Sequence, residues 1–291
     1  MSKPTLLIIG AAGANGTATI KALTEKHAGK YTIRAGVRSN EKAKALTDQF
    51  PGIETVILDL DKPETLPAAY EGVNKLFLII GNVENREEHA QNAIDAAKAA
   101  GVEHVLFYSV VGAEYEAILF GKQFRAGEKI LEASGLKWTH LRTIFFQDNF
   151  PGWADGIKQG ALYFGIGEGK FAPLNIADIG EIAANVLSSD GHEGKAYNIT
   201  GPELLSGEDM AKIFSDVTGK PVSYVSPDNA TTLASLLSTG WPEWQAHGLV
   251  ELFNLFGANQ AAVVSPDGEE LLGRPLTRLV DYLSATESVY K

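Results

Sequence analysis

The sequence contains no cysteine, which excludes disulfide bonds, thiolate metal sites and cysteine nucleophiles. It also lacks an excess of basic charge: 25 Lys and Arg against 36 Asp and Glu give a formal net charge of −11, which argues against nucleic acid or an anionic membrane as the main partner. A 45% hydrophobic and 21% charged composition excludes wholesale disorder. These properties fit a cytoplasmic protein.

Long apolar runs are also missing. The longest uncharged stretch, Pro4–Ile20, has only Leu6–Ile9 as a continuous apolar block before glycines at 10, 13 and 16. A signal peptide needs about 7 to 15 apolar residues in its core and a membrane-spanning helix about 20. We therefore expect neither in this stretch.

Short β-rich apolar runs alternate with helix-length segments in the first half of the chain. Because near-continuous apolar strands are covered on both faces, and βα repeats pair in parallel, residues 1–150 are predicted to form a doubly wound parallel α/β sheet of the Rossmann type. A smaller α/β C-terminal lobe, residues 151–291, is expected to pack on it without folding independently. The predicted strands of the first half are Thr5–Ile9, Tyr31–Val37, Ile53–Leu58, Lys75–Ile80, His104–Val110 and Trp138–Leu141; its predicted helices include Glu84–Ala100 and Gln123–Ser134.

A glycine-rich turn follows the first predicted strand and leads into a helical pattern. A tight turn, close approach of a diphosphate to the backbone and close helix–strand packing each favour a residue without Cβ. The backbone N–H groups at a helix start can then hold phosphates. The alternative is a purely structural turn, since the GxxGxxG spacing differs from the commonest fingerprint. The residues predicted here to bind a dinucleotide are Gly10, Ala12, Gly13, Ala14, Asn15 and Gly16.

The end of the second strand selects the nucleotide. NAD sites usually place an acidic residue there, whereas this chain has Arg38, with Lys42 one helical turn further. A guanidinium can grip a 2′-phosphate, so the pair predicts NADP(H). The alternative is a solvated cation pair at a helix start. After the third strand, Asp59, followed by Leu60, is placed either to reach the adenine or to cap the next helix.

Several motifs in order along the chain resemble the NmrA-like, atypical branch of the short-chain dehydrogenases and reductases. This family includes NADPH-dependent quinone and triphenylmethane dye reductases as well as redox-sensing regulators. The resemblance implies that the loop at Gly81 and Asn82 passes beneath the diphosphate and the nicotinamide ribose. It further implies that Phe146, Gln147 and Asn149 line the nicotinamide pocket, although Phe145 or Phe146 could instead be core. The motifs are the glycine turn, Val37-Arg38, Leu58-Asp59, residues 134–142, Phe145–Asn149, residues 194–202 and Leu272–Pro275.

The Tyr-x-x-x-Lys pair that usually supplies the acid in this superfamily is missing. Leu119 stands four residues after Tyr115, and the helix position expected for a lone lysine holds Phe124, two residues after Lys122. Lys122 is the candidate catalytic residue. The alternatives near the fifth strand are Tyr108, Ser109 and Tyr115.

Without that acid, the sequence favours hydride transfer from NADPH to quinone-like or conjugated aromatic acceptors over ketone reduction, because the product phenolate is weakly basic. Trp153, Trp241 and Trp244 offer flat apolar faces for such a substrate, or else cover the core of the C-terminal lobe. The alternative function is a non-catalytic NADP(H) sensor. No metal is expected, since the histidines lack ligand spacing. Monomer and homodimer both stay open.

Overall fold

The computed structural model describes residues 3–291 and divides into two compact units. The first unit comprises the described residues up to Glu114 together with Gly121–Arg142 and Ile176–Asn198. The second unit comprises Tyr115–Phe120, Thr143–Asn175 and Ile199–Lys291. The units interleave along the chain, so residues 176–198 group with the first unit, whereas a single boundary at residue 150 would assign them to the smaller lobe.

Helices and strands alternate through most of the chain. The strands are β1 (Thr5–Ile9), β2 (Thr32–Val37), β3 (Glu54–Ile57), β4 (Val73–Leu78), β5 (His104–Val110), β6 (Lys137–Thr143), β7 (Ala161–Tyr163), β8 (Lys170–Phe171), β9 (Lys195–Ile199), β10 (Leu205–Ser206) and β11 (Ser223–Val225). The helices are α1 (Ala14–Lys26), α2 (Asn40–Gln49), α3 (Leu66–Tyr70), α4 (Arg86–Ala99), α5 (Leu119–Ala133), α6 (Ala154–Lys158), α7 (Ile176–Ser188), α8 (Gly207–Thr218), α9 (Asn229–Ser238), α10 (Glu243–Gly257), α11 (Asp267–Leu272) and α12 (Leu279–Ala285).

The main sheet has seven strands in the order β3-β2-β1-β4-β5-β6-β9, which confirms the predicted doubly wound α/β fold. β1 pairs in parallel with both β2 and β4, with Ile9 beside Gly36 on one side and Leu78 on the other. The strand order therefore reverses at β1 and β4. In open α/β sheets, ligands bind beyond the carboxyl ends of the strands at such a reversal.

Helices α1 and α7 pack closely within the first unit. A Cβ on Gly180 would lie 2.5 Å from the backbone carbon of Ala18, so only glycine allows this approach. The end of α7 is also tied to the sheet, since the Leu187 carbonyl accepts hydrogen bonds from Lys75 and from Tyr31. These contacts explain why residues 176–198 group with the sheet.

The core of the second unit is aromatic. Phe145 is partly buried and packs against this core, edge to face with Phe171 at 5.7 Å between ring centroids, and Phe171 stacks on Phe256 at 4.4 Å. Such pairs add to the free energy gained from burial alone. Among the described residues, no helix is both long enough and apolar enough to cross a membrane.

Three polar residues form a buried chain at the amino-terminal end of β5. His104 Nε2 lies 2.8 Å from Thr139 Oγ1, and the Thr139 hydroxyl donates to the His192 carbonyl at 2.6 Å. Because a hydroxyl has one proton, His104 Nε2 must donate to it. Burial, aided by the charge of Lys75, lowers the pKa of His104 to about 4. His104 is therefore neutral in the folded protein at neutral pH.

We expect acidification to destabilise the protein partly through His104. The unfolded chain binds a proton at this histidine near pH 6.5, whereas the folded protein does so only near pH 4, so stability falls as the pH drops through that window. The loss amounts to about 3 kcal/mol at most. Urea unfolding of wild type and His104→Gln should be measured at pH 7.5 and 5. The free energy of unfolding should fall less between these two pH values in the variant than in wild type. His247→Gln, at an exposed position, is the control; equal declines for His104→Gln and wild type would contradict the prediction.

Candidate functional site

The turn after β1 contains three glycines, and a side chain at two of them, Gly10 and Gly16, would disrupt it. Gly10 has a φ of 75°, and a Cβ there would lie 2.6 Å from the Ile79 carbonyl oxygen. A Cβ on Gly16 would lie 2.4 Å from the Gly10 carbonyl oxygen, while one on Gly13 would lie 3.3 Å from the same atom. The sequence thus brings the start of α1 directly against the end of β1 and the loop after β4.

The start of α1 is open to an anion. Its N-cap residue, Gly13, supplies no side chain, and the first helical turn contains no acidic residue. The three residues Ala12–Ala14 are exposed. The Gly13 N–H donates to the Gly10 carbonyl at 3.0 Å, and the Thr17 N–H donates to the Gly13 carbonyl at 2.9 Å. The buried Oδ1 atom of Asn15 has no hydrogen-bond partner. Free N–H groups at the positive end of a helix, without a capping side chain, fit a diphosphate.

Arg38 and Lys42 lie at the carboxyl end of β2, and both are exposed. Ser39 between them caps α2 by accepting from the Lys42 backbone N–H. Within residues 3–291, neither cationic side chain makes a hydrogen bond or an ion pair. Glu41, in the first turn of α2, supplies one negative charge here. A phosphate group would still be bound favourably by two cations at the positive end of a helix.

Asp59 and Leu60 follow β3. Asp59 Oδ1 accepts from the Asp61 backbone N–H at 3.2 Å, and the Leu60 carbonyl accepts from Asn92 at 2.9 Å, so both residues shape this loop. Asp59 does not cap the 3-10 turn at Pro63–Thr65, whose N-cap residue is Lys62 with no side-chain bond. That leaves the adenine role as the prediction for Asp59.

An acid–histidine pair that sequence reasoning missed lies beside this loop. His89 Nε2 is 2.7 Å from Asp61 Oδ1, although the two residues are 28 positions apart. Hydrogen bonds from His89 and Asn85, with the charge of Arg38 as a smaller cause, hold the pKa of Asp61 below its ordinary value. No sequence signal for the pair exists, because the contact depends on how α4 packs.

The loop after β4 lies against the glycine turn. The Ile79 N–H donates to the Ile9 carbonyl at 3.3 Å, and Gly81 and Asn82, both exposed, follow directly. The structure thus brings the predicted glycine-turn residues, Arg38, Asp59 and this loop to the carboxyl edge of one sheet in the first unit.

The predicted nicotinamide residues Phe146, Gln147 and Asn149 belong to the second unit. Gln147 is fully buried, and its amide donates to the carbonyls of Pro173 and Thr277 at 3.1 and 2.9 Å. Its side chain therefore anchors the loop, which differs from the expectation that it faces a cofactor ring. Phe146 is half-buried and Asn149 is exposed, so these two keep surface for a ligand.

Lys122 is exposed near the start of α5, with no ion pair among the described residues. The expected lysine position is filled by Phe124, whose buried ring packs 6.2 Å from that of Tyr108. Ser109 is buried and donates to Glu128 at 2.7 Å. Neither Tyr108 nor Ser109 therefore stands as an open proton donor.

The three tryptophans predicted to contact a substrate differ in their surroundings. Trp153 packs edge to face against Phe164 at 5.3 Å, which matches the alternative expectation that it covers the core of the lobe. Trp244 contacts Phe120 at 6.5 Å, and Trp241 is exposed. Trp244 and Trp153 are both half-buried, so Trp241 is the one of the three with the most surface available to a substrate.

Three side chains in the first unit have metal-ligand chemistry, since atoms of Glu128, Glu132 and His140 lie within 4.8 Å of one another. Both Glu128 oxygens, however, accept from Arg142 at 2.8 Å, and Arg125 bridges the two glutamates. Burial opposes the charge of Glu128, but the Arg142 hydrogen bonds hold its pKa below the ordinary value. The cluster is an ion-pair network that joins α5 to β6.

The sequence of this chain matches a model of the NmrA-like family over residues 2–281. The chain belongs to the NmrA-like family. An NAD(P)H azoreductase from Xenophilus azovorans is 31% identical over 98% of this chain and 99% of the relative. Quinone oxidoreductase 2 of Escherichia coli is 32% identical over 96% of this chain and 97% of the relative.

Solved structures of NmrA-like proteins agree with the fold along the chain. The Escherichia coli NADPH-dependent quinone oxidoreductase complexed with NADPH has a TM-score of 0.90 and 31% identity, covering 97% of this chain and 100% of that one. The Citrobacter triphenylmethane reductase complexed with NADP(H) has a TM-score of 0.88 and 29% identity, covering 97% of this chain and 99% of that one. The family resemblance drawn from the motifs is confirmed.

Proposed function

We propose that this NmrA-like protein is an NADPH-dependent reductase that transfers hydride to a quinone-like or conjugated aromatic acceptor. One observation carries the proposal: an uncapped, glycine-lined helix start and two unpaired cations lie at the carboxyl edge of a doubly wound sheet. The two anion sites match the diphosphate and the 2′-phosphate of NADP(H). The azoreductase and quinone oxidoreductase relatives support this class of reaction.

Bound NADPH supplies the hydride, and this chain's residues bind and orient it. Backbone N–H groups of residues 14–16 hold the diphosphate, while Arg38 and Lys42 neutralise the 2′-phosphate. With the adenosine end fixed, rate acceleration comes from holding donor and acceptor carbons in contact.

The side chains at the end of β5 support this acceptor class, because neither Tyr108 nor Ser109 is an open acid; Tyr115, in the turn that follows, is exposed and belongs to the second unit. Tyr108 is packed against Phe124, and Ser109 donates to a buried carboxylate. Reduction of a ketone creates a strongly basic alkoxide that needs a positioned proton donor. Hydride transfer to a quinone gives a delocalised phenolate that water can protonate. The residues therefore suit conjugated acceptors, with Trp241 and Trp244 as the aromatic surface that stacks against them.

The test follows the absorbance of NADPH with a panel of quinones, triarylmethane dyes and simple ketones. We expect oxidation with quinones or dyes and none with ketones. Tight NADPH binding without turnover on any acceptor would favour the non-catalytic sensor, and rapid ketone reduction would contradict the acceptor class.

The Lys122 hypothesis makes a separate prediction. If its ammonium contacts the nicotinamide ribose, Lys122→Ala should lower kcat/KM for NADPH by about tenfold, the usual worth of one charge-assisted hydrogen bond. Lys129→Ala, seven residues further along α5 and also exposed, is the matched control. Equal kinetics for the two variants would remove Lys122 from the site.

A further inference from the structure

Arg86, the first residue of α4, has a fully buried side chain. Its guanidinium donates to the Ile80 carbonyl at 2.8 Å and to Asn82 Oδ1 at 3.3 Å. The same group lies over the Phe124 ring, 4.0 Å from the centroid, while its buried Nε atom has no hydrogen-bond partner. The protein therefore places a cation beneath the loop that follows β4.

Nothing in the described chain neutralises this charge. Within residues 3–291, no carboxylate pairs with Arg86, and Glu87 and Glu88 of the same helical turn are exposed. The guanidinium also sits at the positive end of α4, where a cation is unfavourable. Burial lowers the pKa of Arg86 only to about 10, with Tyr108 opposing the shift, so it stays protonated at neutral pH. A buried ion without a partner is costly, and an anion outside the chain would offset that cost.

The loop connects this cation to the glycine turn. Ile79 contacts Gly10, and the next residues, Ile80 to Asn82, carry the two acceptors of Arg86. The loop thus lies with the glycine turn on one side and the guanidinium on the other. A diphosphate held at that turn would lie against the same loop as the guanidinium, and a buried cation is screened little by solvent.

We propose that Arg86 is a positioning residue for the dinucleotide: it fixes the loop Ile80–Asn82 and supplies the internal counter-charge to the diphosphate. The inference rests on the proposed NADP(H) site. In this arrangement the buried Arg86 stabilises the charge of the diphosphate, and the exposed Arg38 and Lys42 stabilise the charge of the 2′-phosphate.

Titration calorimetry with two ligands separates these contributions. Adenosine 2′-phosphate carries the group that faces Arg38 but lacks the diphosphate. We expect R86M to weaken NADPH binding by about tenfold or more while adenosine 2′-phosphate binds within about twofold of wild type. R38A should weaken both ligands. R86K keeps a cationic group but loses the planar two-point contact and the packing on Phe124, so its affinity for NADPH should lie between those of R86M and wild type. Salt screens an exposed charge more than a buried one. Raising the salt concentration should therefore reduce the loss of NADPH affinity in R38A more than the loss in R86M.

Melting temperatures identify variants that fail to fold, and R86Q replaces R86M if the latter does so. Wild-type affinity for NADPH in the neutral variant would overturn the inference. A uniform loss for both ligands would also overturn it, because it would indicate general distortion. If R86K binds NADPH as weakly as R86M does, the proposed role of Arg86 as a counter-charge to the diphosphate is wrong. Failure of wild type to bind NADPH would instead refute the proposed function.

Discussion

Gly13→Asp is expected to weaken NADPH binding by about a hundredfold or more while leaving the protein folded. Gly13 is exposed and has an ordinary extended backbone, so a side chain meets only the Gly10 carbonyl oxygen, at 3.3 Å from the Cβ. The new carboxylate would occupy the place of the diphosphate at the start of α1. Repulsion between two negative charges in direct contact, here the carboxylate and the diphosphate, costs about 3 kcal/mol or more near a protein surface.

Calorimetry with NADPH measures the effect, and two controls define its cause. Gly13→Ala adds the Cβ without the charge and should lose much less affinity. Ala99→Asp places the same charge at the C-terminal end of α4 and should bind as wild type does. If Gly13→Asp retains wild-type affinity, the glycine turn does not hold the diphosphate.

Arg38→Ala is expected to remove the preference for NADPH over NADH. Loss of a charge-assisted contact with the 2′-phosphate costs about 1.5 to 3 kcal/mol, or about 10- to 100-fold in NADPH affinity. NADH lacks that phosphate, so its affinity should change by less than about twofold.

The matched control is Lys44→Ala, an exposed cation on α2 that pairs with Asp48. Dissociation constants for both nucleotides should be measured at low and physiological salt. Equal affinity of wild type for NADPH and NADH would contradict the NADP(H) assignment. If Arg38→Ala lowers the affinities for NADPH and NADH equally, Arg38 does not contact the 2′-phosphate.

Local patterns along the chain were sufficient to predict several elements at their observed bounds. β1 and β5 were predicted residue for residue, because glycines lie close to the ends of their apolar patterns. The start of α5 was predicted four residues too late. The Leu119 N–H donates to Glu251, 132 residues away, so this helix start depends on a tertiary contact that no local pattern contains.

The candidate site likewise contains residues that local sequence patterns predict and residues whose surroundings depend on tertiary packing. The glycine turn and Arg38 follow a strand within a few residues, so chain order alone places them at one edge of the sheet. Gln147 was expected from the family resemblance to line the nicotinamide pocket, and no sequence pattern singled out Arg86. Their burial arises from partners that tertiary packing supplies, Thr277 for Gln147 and Phe124 for Arg86.

The interleaved course of the chain limits how the protein can be cut. The backbone passes from one compact unit to the other at five points, after residues 114, 120, 142, 175 and 198. A gene fragment ending near residue 150 would lack α7, which covers Ala18 on α1, and β9, the edge strand beside β6. Expressed by itself, such a fragment would expose apolar surface on α1 and leave the edge of β6 unpaired. We therefore expect it to aggregate rather than serve as a minimal nucleotide-binding module.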